Sequence, residues 1–198
     1  PHAAKKQAVD VDIASFAAQG LRQRVRTLRT IARRLDAQDQ PWQSLMDALR
    51  HHVPKYYHDA SVLIHDADVD AIYVATPPDS HAKYAIDALA AGKPVYVEKP
   101  MALNYRQCME MIEASEKYGV PLYIAYYRRA LPYFLKVKLL IDEGVIGQVR
   151  YAFMRLEREV SDNDRQPANV WRLNAAVSGG GYFVDLGSHQ LNLLQFLF

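Results

Sequence analysis

Between Val69 and Ala125 the chain repeats one grammar: apolar run, helical stretch, apolar run, helical stretch, apolar run. The first run, VDAIYVAT, is nearly continuous in residues that favour strands, as a buried parallel strand requires. Pro77 and Pro78 end it. Asp79 or Ser80 then stands where a helix cap is needed, and Ala82, Ala85, Ile86 and Leu89 share one face of the helix that Gly92 stops. PVYVE is the second strand. Asn104 followed by Gln107 has the form of a capping box, opening a helix that ends at Gly119 with Cys108, Met111, Ile112 and Ser115 on its inner face. PLYIAY is the third strand. Such alternation specifies an α/β fold, a parallel sheet with right-handed helical crossovers.

Beyond Pro132 the rhythm changes. PYFLKVKLLIDEG predicts a helix, and QVRYAFMRLEREV predicts a strand on a sheet with one covered face. In that strand Val149, Tyr151, Phe153 and Arg155 alternate with Arg150, Ala152, Met154 and Leu156. A polar loop with Asp162, Asn163, Asp164 and Pro167 leads to Trp171 and Arg172, then to SGGG, after which a helix is expected to run to the end.

Ahead of the α/β section, Ile13, Phe16, Ala17, Leu21, Val25, Leu28, Ile31, Ala32 and Leu35 recur at helical spacing, with arginines on the remaining surface. An arginine-rich face of this kind is ordinarily solvated, and nucleic-acid contact is the competing reading. The net charge of +2 is too small to imply a nucleic-acid or membrane partner. One cysteine, Cys108, forms no internal disulfide, which fits a reducing, cytoplasmic setting. No apolar run approaches the roughly 20 residues of a membrane span, and the first residues lack the apolar core of a signal peptide. Residue 1 is Pro, and LNLLQFLF stops inside an uncapped helical pattern, so both ends are expected to be truncations.

Chemistry is expected where parallel strands end, because ligands of open α/β sheets bind at the carboxyl ends of their strands. Ala75-Thr76-Pro77-Pro78 is one such end, and prolines there leave the loop's remaining backbone groups free for a ligand. Glu98-Lys99-Pro100 is the second, an acid and a base directly after a strand, where charge is seldom needed for packing. In SGGGYFVDLGSHQLN, Asp185 and His189 are four apart and share a helix face. A carboxylate one turn away can orient an imidazole and raise its basicity. The same residues also fit a helix start carrying a satisfied histidine.

Together these residues resemble the Gfo/Idh/MocA family, which includes glucose–fructose oxidoreductase and inositol dehydrogenase. The matching stretch runs from about Val53 to Phe198 and carries VPKYYHDASVLIHDADVDAIYVATPPDSHAKYAIDALAAGKPVYVEKPMA, YYRRALP, LIDEGVIGQV and WRLNAAVSGGGYFVDLGSHQLN in that order. The resemblance implies a partial Rossmann-type parallel sheet followed by the start of an α+β substrate domain. Its boundaries are 1–52 for a non-matching arginine-rich helical segment, 53–127 for part of the dinucleotide-binding domain and 128–198 for the beginning of the substrate domain. The activity implied is hydride transfer between a sugar or polyol carbinol and NAD or NADP, without a metal. Lys99, Asp185 and His189 are the catalytic set it implies: His189 takes the hydroxyl proton, Lys99 stabilises the alkoxide, and Asp185 positions the substrate or the imidazole. Thr76, Pro77, Glu98, Lys99 and Arg128 are the implied cofactor contacts, and Arg172 joins Asp185 and His189 on the substrate side. The intact enzyme is expected to be a homo-oligomer. Tyr127 stands where the family often has Asn, and Asn174 and Asn192 where it often has Asp, which leaves substrate preference open.

The phosphate-binding start of the family is not legible. No G-x-G-x-x-G occurs before residue 53, where Gly20 is the only glycine, and no acidic ribose partner is identifiable, so NAD is not told from NADP. A translation out of frame, or a replacement domain, would account for residues 1–50. Lacking inner strands, the isolated chain is expected to be poorly soluble and inactive. A non-catalytic relative that senses dinucleotide or sugar is the alternative, and retention of Lys99, Asp185 and His189 together argues against it.

Overall fold

A computed structural model describes residues 55, 57, 59–157, 159, 162, 165, 166 and 171–198. The arginine-rich helix expected over residues 12–35 lies outside them, as does most of the polar loop around Pro167. The described elements begin with α1 (Ala60–His65), β1 (Ile72–Val74), α2 (His81–Ala90), β2 (Val95–Val97), α3 (Tyr105–Tyr118) and β3 (Leu122–Ile124). They continue with α4 (Pro132–Asp142), α5 (Ala175–Ser178) and α6 (Ser188–Leu197).

The three strands pair in parallel in the order β1-β2-β3, with Ile72 opposite Val95 and Val95 opposite Leu122. Each strand follows its neighbour through a helix, so right-handed crossovers set α2 and α3 on the same face of the sheet. Period-two alternation then separates the side chains. Ile72, Val74, Val95, Val97 and Leu122 are buried with Ala85, Leu89, Met111 and Ala114 of the two helices in one core. Tyr73, Tyr96 and Tyr123 stand in register on the other face, half-buried.

Local signals explain most boundaries. The Asn104 side chain caps α3 by accepting from the Gln107 amide at 3.1 Å, while Gln107 Oε1 accepts from the Leu103 amide. Gly119, in the left-handed region at φ 63°, closes that helix. The start of α2 differs from expectation. Proline-set geometry makes a 3-10 turn over Pro78–Ser80 first, and Ser80 takes the N-cap position without a side-chain capping bond. Its hydroxyl turns instead to Thr76 Oγ1, at 2.6 Å.

One further expectation is corrected. No strand forms over 148–157 among the described residues, and Tyr151 and Phe153 are 85% and 80% exposed. Alternating apolarity prepares a strand, but a ladder needs a neighbour to receive its hydrogen bonds, and no described segment pairs with it. The helix expected after SGGG does form, passing through a π turn over Phe183–Gly187 into α6, while the short α5 precedes the glycine run. Among the described residues no helix is long and apolar enough to cross a membrane.

Candidate active site

Three segments remote in sequence meet at the carboxyl edge of the sheet. The first is the turn after β1, where Thr76 is buried and Pro77 opens the 3-10 turn. The second is the loop after β2. Glu98 continues the ladder, its amide donating to the Val74 carbonyl at 2.8 Å, and its carboxylate accepts from the Tyr73 hydroxyl and, at 3.2 Å, from the Lys99 amide. Glu98 and Lys99 therefore do not neutralise one another through their side chains. The third segment is the π turn and the first turn of α6, which carry Asp185 and His189.

Close backbone packing brings that third segment in. A Cβ added at Gly179, whose φ is +81°, would stand 3.1 Å from the Leu103 carbonyl oxygen, so only glycine lets the turn settle against the loop after β2. The Ser178 hydroxyl then accepts from the Gly181 amide at 2.8 Å, holding the glycine run in its turn.

Across the junction the Lys99 ammonium donates to the Asp185 carbonyl at 2.9 Å and forms an ion pair with its carboxylate. Both side chains are largely buried, at 16% and 19% exposure. The other oxygen of Asp185 lies 3.7 Å from Arg172 Nε, and the Arg172 guanidinium stacks over Trp171.

His189 is 3% exposed, and its ring meets the edges of Tyr126 and Tyr127 at centroid distances of 5.9 and 5.3 Å. Its Nδ1 is buried without a hydrogen-bond partner among the described residues. Burial, reinforced by the positive charges of Lys99 and Arg128, pushes its pKa down to about 4 against a weaker opposing pull from Asp185. The imidazole is therefore neutral at physiological pH. Asp185 pulls in the expected direction, upward, but is outweighed. Its carboxylate is engaged by Lys99 and Arg172, and no hydrogen bond joins it to the imidazole; burial and the charges of Lys99 and Arg128 therefore set the net shift downward.

Of the residues singled out in the sequence, Lys99, Asp185, His189, Arg128 and Arg172 converge here, while Thr76, Pro77 and Glu98 line the adjoining strand ends. Sequence reasoning missed the partners that hold them: Tyr126 and Tyr127 against His189, and Tyr73 against Glu98. The paired tyrosines directly after the third strand were the available signal. Among the described residues no cluster of His, Cys, Asp and Glu has the closeness needed to hold a metal ion.

A parallel α/β layer with a lysine, a carboxylate and a neutral imidazole gathered at its strand ends defines a Rossmann-type oxidoreductase. Residues 13–126 match the oxidoreductase family with an NAD-binding Rossmann fold, and residues 134–198 match the GFO/IDH/MocA C-terminal domain. The first match reaches further upstream than Val53, where the legible motifs begin. Oxidoreductase P35 of Formosa agariphila is 41% identical over 148 residues, covering 74% of this chain and 46% of its own length. An aldose-aldose oxidoreductase from Caulobacter crescentus, solved with glycerol, is 31% identical with a TM-score of 0.65, over 80% of this chain and 47% of its own. A levoglucosan dehydrogenase complexed with NADH and levoglucosan is 26% identical with a TM-score of 0.68, over 80% and 42%. The chain belongs to the Gfo/Idh/MocA family of NAD-binding oxidoreductases, and it spans under half the length of these relatives.

Proposed function

We propose that the protein carrying this chain is an NAD- or NADP-dependent dehydrogenase that oxidises a carbinol of a sugar or polyol. In this reading residues 53–127 belong to the dinucleotide-binding domain, and 128–198 open the substrate domain. The observation that carries the proposal is the buried neutral imidazole of His189 beside the Lys99–Asp185 pair. The levoglucosan and aldose substrates in the relatives' names support the sugar class.

The residues present fit the nicotinamide end of such a cofactor. Thr76, Pro77 and Glu98 line strand ends where α/β folds bind dinucleotides, and the orphaned Nδ1 of His189 is a buried polar atom in want of a partner. When bound, the nicotinamide supplies the acceptor for the two electrons and hydrogen that leave carbon. Neutral His189 accepts the hydroxyl proton. The Lys99 ammonium faces the negative charge that grows on oxygen, where a fixed cation in a dry site stabilises it strongly. Asp185 holds that ammonium in place. Arg172 holds the far side of Asp185, and Arg128 supplies positive charge that keeps His189 unprotonated.

The test is a panel of aldoses, inositols and anhydrosugars offered to the full protein with NAD and NADP, followed by the absorbance of reduced nicotinamide. Turnover with at least one member is expected. No turnover with any of them, together with no binding of either reduced cofactor by fluorescence, would overturn the proposal.

A further inference from the structure

His81, the first residue of α2, is 1% exposed although it is an imidazole, and both ring nitrogens are engaged. Nε2 lies 2.7 Å from the Thr76 carbonyl oxygen and Nδ1 lies 2.9 Å from the Pro100 carbonyl oxygen. These two carbonyls belong to different loops. Thr76 follows β1 and Pro100 follows β2.

The backbone ladder between those strands ends at the bond from the Glu98 amide to the Val74 carbonyl. Beyond it, among the described residues, no backbone hydrogen bond joins the two loops. The ring of His81 spans the gap in its place. A neutral imidazole donates to one of the two carbonyls and the imidazolium to both, and in either form the ring is wedged between two loops.

We infer that His81 is a positioning residue: it sets the spacing between the Thr76-Pro77 loop and the Glu98-Lys99-Pro100 loop, and so the place of the Lys99 ammonium relative to the cofactor side of the site. The inference rests on the dehydrogenase reading above. It extends that reading to a buried side chain that meets the cofactor-side loop at the Thr76 carbonyl and takes no part in the proposed proton or hydride transfer. Displacing a reacting group by about 1 Å can cost on the order of a hundredfold in rate. A ring wedged between both loops, within 2.9 Å of a carbonyl oxygen of each, is a direct means of preventing such a shift.

The experiment compares His81→Leu and His81→Gln with wild type in the full protein, reading kcat, KM, reduced-cofactor affinity and thermal midpoint separately. Leucine removes both polar ring contacts, whereas glutamine retains an amide donor. His81→Leu is expected to lower kcat by about tenfold to a hundredfold and to weaken cofactor binding, with the substrate KM little changed. Partial recovery of kcat is expected in His81→Gln. A purely structural role would lower the thermal midpoint while folded molecules kept wild-type kcat and cofactor affinity, and that result overturns the inference. If neither variant folds, nitrogen-15 spectra of the wild-type histidine rings decide. The His81 ring signals are expected to move when NADH is added, and unmoved signals overturn the role. A wild type that binds no reduced cofactor overturns the dehydrogenase reading itself, a failure distinct from that of the variants.

Discussion

Acidification should destabilise this protein through His189 in a calculable way. The folded state holds this imidazole's pKa at about 4, against an ordinary value of 6.5. Between those values the unfolded chain binds a proton that the folded chain refuses, so stability falls as pH drops from 6.5 towards 4. Above 6.5 the ring is neutral in both states and contributes no pH dependence. At pH 5 an ordinary histidine is protonated about thirtyfold over its neutral form, whereas His189 is about one-tenth protonated. The ratio corresponds to about 2 kcal/mol of lost stability, approaching about 3 kcal/mol by pH 4. Near-complete burial of the residue means that little of this is screened by solvent. The assay is urea unfolding of wild type and His189→Gln at pH 7.5 and at pH 5. Carboxylates elsewhere titrate alike in both proteins, so the difference between the two pH dependences isolates the imidazole. Wild type should lose about 2 kcal/mol more than the variant on going to pH 5. Equal losses would refute the claim that His189 is kept neutral by burial and by the charges of Lys99 and Arg128.

Other consequences follow from the same geometry. Lys99→Ala should lower turnover by about a hundredfold to a thousandfold, the range for loss of one group that stabilises a developing oxyanion, with the circular dichroism spectrum intact; undiminished kcat would remove Lys99 from the chemistry. Gly179→Ala forces a side chain into the left-handed region and against the Leu103 carbonyl, and should cost about 1–2 kcal/mol in thermal unfolding. Wild-type stability in that variant would show that the turn does not need its close approach. Met111→Ala empties a fully buried site in the core between α3 and the sheet, and a loss of about 2–5 kcal/mol is expected in urea unfolding. An effect below that range would mean the helix collapses freely onto the strands.

The α/β section was legible because its signals are local. Apolar runs at Ile72–Val74, Val95–Val97 and Leu122–Ile124 became parallel strands, and the cap at Asn104 and stop at Gly119 stand where the residues placed them. Legibility failed where a partner or a neighbouring turn decides the outcome. Residues 148–157 have strand alternation but no neighbour to bond with among the described residues, and the prolines at 77 and 78 turned the cap of α2 into a 3-10 entry. Asp185 and His189 were identified as a pair by their spacing, yet the spacing said nothing of the lysine that claims the carboxylate.

Strand and helix periods, caps and motif order are set by residues within a few positions of one another, and for these the amino-acid sequence was sufficient. The site's electrostatics were not accessible in that way. Lys99 and Asp185 are 86 residues apart, and the imidazole's low pKa arises from burial and from cations on two other segments. Such effects depend on which surfaces pack together and on how much water they exclude, and only the folded chain determines either.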